Sequence, residues 1–120
     1  MENYTHASII IASGVITNET TVTVQECSNA GASATNAIGF SYYAIDGNGV
    51  TGARTTVDAS GFATGTTDNR VWVIELDATQ LTDGYPWVRV MLSAAATHAG
   101  AVLVVLSGAR YAQANPPAAI

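Results

Sequence analysis

Along this chain apolar residues either alternate with polar ones or gather in short unbroken runs, and no stretch sustains a helical period. The second half carries the clearest runs, at 70–77, 85–93 and 101–111, rich in Val, Ile, Leu and aromatic residues. Gly, Asp and Thr bound each of them, which predicts strand, corner, strand, loop, strand. Earlier in the chain the same signals predict strands over 7–13, 20–27 and 36–45, with a weaker one over 53–58. The joints at 17–19, 28–35, 46–49 and 59–69 hold residues that tolerate turns, and the first is short enough for a hairpin. Residues 78–82 can form one helical turn with Asp77 as its N-cap. The fold class that follows is all-β: one domain over 1–120, an antiparallel β-sandwich or jelly-roll-like barrel of about 6–8 strands. Residues 1–6 read as a short N-terminal arm, and 112–120 as a C-terminal tail that Pro116 and Pro117 keep out of any sheet.

Alternation also assigns faces. Val22 and Val24 oppose Thr21, Thr23 and Gln25, giving a strand with one wet face that suits a sheet edge. Trp72, Ile74 and Leu76 point one way from the fourth strand. Val88, Val90 and Leu92 share one side of the fifth, opposite Trp87, Arg89 and Met91. The run 102–106 is apolar on both sides, so it calls for cover from a second sheet or a second subunit.

Composition narrows the function classes. The chain has 120 residues, enough for one core that buries about two-thirds of the unfolded surface. It has no lysine, only Arg54, Arg70, Arg89 and Arg110 against nine carboxylates, for a net charge of −5. Nothing there forms a stripe able to neutralise phosphates, which argues against nucleic acid and against anionic membranes. Charged residues are 11% of the chain, about half the usual share. Ala, Gly, Ser and Thr dominate instead, and a surface of such residues is ordered against a partner at low entropic cost. No run reaches the roughly 18 apolar residues of a membrane span, and the start lacks the basic region of a signal peptide. The lone Cys27 excludes an intrachain disulfide and reads as a buried structural thiol.

No motif assembles a chemistry. The segment 47–52 formally fits a dinucleotide fingerprint, but the β-branched and Gly-broken residues after it start no helix to meet a pyrophosphate. Asp46 to Gly49 resembles a fragment of a calcium loop whose remaining ligands are missing, and so reads as a tight turn. Glu75 and Asp77 share a strand face with Asp83 beyond the corner, a set that reads as a solvated strand end before a cation site. His6 and His98 are expected in a terminal arm and a loop, with no metal-ligand spacing between them. No catalytic residue, cofactor or metal is therefore expected. Tyr42, Tyr43, Tyr85 and Tyr111 are the residues from which a sugar-binding aromatic surface could be built. The four arginines are expected in specific pairs, within the chain or across an interface.

The block 68–111 is similar to small virion proteins of tailed bacteriophages, above all Val73-Ile-Glu-Leu-Asp-Ala-Thr-Gln-Leu-Thr-Asp-Gly-Tyr-Pro-Trp-Val-Arg-Val90 and Leu106-Ser-Gly-Ala-Arg-Tyr111. The opening strand followed by Thr21-Val-Thr-Val-Gln-Glu26 resembles the same group. The resemblance implies a capsid decoration (cement) protein, a non-enzymatic β domain bound in many copies to the major capsid protein and often trimeric. It implies assembly in the host cytoplasm and a final place on the capsid surface. Residues 51–67 have no counterpart in it. Contacts are expected from Arg54, Trp87, Arg89 and Arg110, and from the C-terminal segment with Tyr111, Pro116, Pro117 and Ile120. The rival readings are a tail or head–tail joining structural protein and a carbohydrate-binding β-sandwich module.

Overall fold

A computed structural model describes residues 1, 3–93 and 98–109. Its nine strands are β1 (Tyr4–Ile16), β2 (Thr21–Cys27), β3 (Thr35–Ile38), β4 (Phe40–Ile45), β5 (Thr55–Val57), β6 (Phe62–Ala63), β7 (Val71–Asp77), β8 (Trp87–Leu92) and β9 (His98–Ala109). One sheet runs β5-β4-β7-β1-β9. In the other, β2 is flanked by β8 on one side and by β3 and β6 on the other. All pairings are antiparallel, no barrel closes, and the fold is a sandwich.

Two of the faces that alternation set apart are buried, Val22 with Val24 of β2 and Trp72 with Ile74 and Leu76 of β7, and Ile9 and Ile11 of β1 join them in the core. Phe62 joins the two sheets: Tyr42 stacks on it at 4.0 Å between ring centroids, while Phe40 and Trp72 each approach it at 6.1 Å. Cys27 is buried and unbonded, in line with a structural thiol. The helical turn appears as a 3₁₀ turn, Ala78–Gln80, with Asp77 as N-cap and the Gln80 side chain returning to the Asp77 N–H at 2.8 Å.

Four expectations are overturned. The short joint at 17–19 makes no hairpin, because β1 and β2 belong to different sheets. The single strand over 36–45 is two, β3 and β4, and the chain changes sheets at Gly39. A Cβ there would stand 2.8 Å from the Val57 carbonyl oxygen, so only glycine lets the backbone cross so close. β2 lies in the middle of its sheet, its wet face being the outer surface of the sandwich. The arm begins to pair early: Tyr4, Thr5 and His6 already belong to β1, and His98 opens β9. The tail at 112–120 lies outside the described residues.

Candidate interaction surface

β9 pairs with β1 from Tyr4↔Ala109 through Ile9↔Val104 to Ser13↔Gly100. Among the described residues it pairs with nothing else, so its far edge is open. Val102, Val104 and Leu106 lie in register with Ile11, Ile9 and Ala7 and so face inward, while Leu103 and Val105 face outward. Among the described residues the facing sheet ends at β8 and does not extend over β9. The run 102–106 is consequently 44–59% exposed on both faces. No charge and no proline interrupts β9, the usual devices that keep an edge strand from pairing.

Between β9 and β8 the sandwich opens as an apolar groove of about 360 Å³. Ala7 and Ile9 with Val102, Val104 and Leu106 line its wall from the first sheet, and Val88 and Val90 its wall from β8. Trp87 stands at its end, 47% exposed. Arg89 is on the outer side of β8, where its Nε and Nη2 donate to Gln25 Oε1 at 3.2 and 2.5 Å. Arg54 is exposed in the loop before β5, remote in the sheet order from β9. Arg110, Tyr111, Pro116, Pro117 and Ile120 lie outside the described residues. Of the expected contact residues, then, the structure brings Trp87 to the groove and places Arg89 on the neighbouring face. No arginine among the described residues forms an ion pair with a carboxylate.

The exposed apolar residues 102–106 are absent from the contact set expected from the sequence. Their signal is a run apolar on both sides, and alternation does not tell that, among the described residues, no second sheet reaches them.

The acidic face of β7 has a different partner from any expected. His6 bridges it, with Nε2 2.7 Å from Glu75 Oε2 and Nδ1 3.0 Å from Asp77 Oδ1. Ser8 donates to the same Glu75 oxygen at 2.7 Å. Hydrogen bonds that the imidazole donates to Asp77 first, then to Glu75, hold His6 above its ordinary pKa. Asp83 does not join this cluster; it lies beyond the turn with Leu81, Thr82 and Pro86. No group of three or more metal-ligating side chains occurs among the described residues.

Glu26 is the buried acid. It accepts the Thr82 N–H at 2.7 Å and the Asn36 amide at 3.0 Å. Burial pushes its pKa up, but these two bonds outweigh it and leave the carboxyl below its ordinary value. It clamps the corner before β8 to β2, which fixes the groove's β8 wall.

Asp46 to Gly49 forms the expected tight turn. Asp46 Oδ1 accepts the N–H groups of Asn48 and Val50, both at 2.9 Å, and the next strand is β5, with no helix between. Tyr42 points into the core while Tyr43 occupies the opposite face of β4, so the sheet separates two of the tyrosines from which a sugar-binding surface could be built. Comparison with protein-family models, with curated proteins and with solved structures finds no match to this chain.

Proposed function

We propose that this protein is a non-enzymatic structural component of a virion, a decoration protein that packs on a head shell built of major capsid protein. The observation that carries the reading is the open strand β9, whose five consecutive large apolar residues are about half exposed. Burying apolar surface is worth about 25 cal/mol per Å², so a strand left bare in the free chain gives its return on assembly. The resemblance of 68–111 to small virion proteins supplies the class of assembly. A sparsely charged, Lys-free surface supports it, since little has to be desolvated where chains meet.

The test is addition of the purified protein to undecorated capsids, followed by measurement of binding and of the temperature at which the shells open. Saturable binding with a raised opening temperature is the expected result. Absence of both removes the decoration reading. Rings or tubes of the pure protein in electron micrographs would favour the tail or head–tail joining reading in its place.

A further inference from the structure

We infer that β9 is a self-pairing edge: two copies of this chain join antiparallel through β9 about a two-fold axis at Val104, making one ten-stranded sheet from two five-stranded ones. The inference does not rest on the virion reading, and it concerns the pure protein alone.

Strand sequence is the first support. An antiparallel pair about a dyad normal to the sheet places only residues of the same face opposite each other, so one residue must meet its own copy. Around Val104 the side-chain sizes of β9 mirror each other. Leu103 answers Val105, Val102 answers Leu106, Ala101 answers Ser107, Gly100 answers Gly108, and Ala99 answers Ala109. With Val104 on its own copy, every large residue of 102–106 meets a large one and every small residue a small one. Moving the axis to Leu103 would set Gly100 against Leu106 and leave a large side chain without a neighbour. The mirror pattern selects a second copy of this strand over an unrelated partner, whose sequence would have no reason to be matched by a palindrome.

Charge and area agree. From Ala99 to Ala109 β9 carries no acidic or basic residue, so a net charge of −5 per chain does not place like charges opposite each other along this edge. The five residues 102–106 with Trp87 present on the order of 500 Å², before the backbone edge and the small residues are added, against about 800 Å² per partner in a standard interface. Trp87 lines the same recess as Leu106, and Leu106 lies opposite Val102 of the second copy in this register, so the groove's β9 wall is extended by the partner strand.

The experiment reads oligomeric state and register separately. Native mass spectrometry and sedimentation over a hundredfold range of concentration should give a species of twice the 12.3 kDa chain mass. Val104→Lys, which sets two ammonium groups on the axis, should return it to monomer with its circular dichroism unchanged. Val104→Cys should cross-link to itself under mild oxidation. Directly opposed Cα atoms lie about 4.5–5.5 Å apart, within disulfide range. Val102→Cys, whose copy is four residues out of register, should not. Wild-type protein is the control for Cys27, which is buried. A monomer throughout, a trimer or larger ring, a dimer indifferent to Val104→Lys, or cross-linking of Val102→Cys in place of Val104→Cys each overturns the proposal. A dimer that then fails to bind capsids leaves this inference standing and removes the decoration reading.

Discussion

Ile9 and Val104 are paired directly across β1 and β9 and point to the same side of the sheet, yet Ile9 is 1% exposed and Val104 50%. One neighbour in the ladder lies under the second sheet and the other stands beyond its margin. Truncation separates the two. Ile9→Ala should cost about 2–5 kcal/mol in chemical denaturation at every protein concentration. Val104→Ala should stay within about 0.5 kcal/mol in dilute solution, where surface substitutions do little. Its cost should grow as the protein is concentrated, because ligation by a second copy adds stability by mass action. Equal, concentration-independent losses at both positions would contradict the exposure difference.

Glu26 predicts an acid limit. Its folded pKa is depressed below the ordinary 4.5, so its contribution is fully present above that value and is lost as pH falls through the lower folded value. Glu26→Ala removes the hydrogen bonds from the Thr82 N–H and the Asn36 amide, at about 1.5–3 kcal/mol for each bond to a charged group. Denaturation from neutral pH down into the acid range should show the wild type losing its advantage over the variant. A constant gap at all pH values would refute the assignment.

His6 predicts the opposite direction. Its pKa is raised above 6.5 in the folded state, so its bridge stabilises fully below that pH and fades as pH rises through the folded pKa. An NMR titration should show His6 deprotonating above the ordinary value of 6.5. In His6→Gln the fall in melting temperature as pH rises through the folded pKa should disappear.

Gly61 and Gly49 both have positive φ, +76° and +82°, but differ in surroundings. A Cβ on Gly61 would overlap the Val22 carbonyl, whereas one on Gly49 meets nothing within 4 Å. Gly49→Ala should cost only the backbone preference, about 1–2 kcal/mol. Gly61→Ala adds a clash with the central strand of the second sheet and should cost clearly more, read as a larger drop in denaturation midpoint.

Trp72 is buried and Trp87 half exposed. In Trp87→Phe the remaining fluorescence should be blue-shifted and shielded from acrylamide. In Trp72→Phe, if the variant folds, the remaining emission should be red and quenchable at low concentration, becoming protected as copies associate.

The sequence by itself determined the strands and their faces. Period-two alternation put Trp72, Ile74 and Leu76 on one face and separated Val88, Val90 and Leu92 from Trp87, Arg89 and Met91, because pleat geometry is a property of neighbouring residues. It could not tell which strand lies beside which, since hydrogen-bond partners far along the chain leave no local trace. That is why Gly39 reads as mid-strand until the chain is seen changing sheets there, and why His6 reads as a terminal residue until register sets it between Glu75 and Asp77. The same limit governs the surface. Residues 102–106 announce that they must be covered, and only the tertiary structure, in which the described part of the second sheet ends at β8, decided that the described residues leave them open.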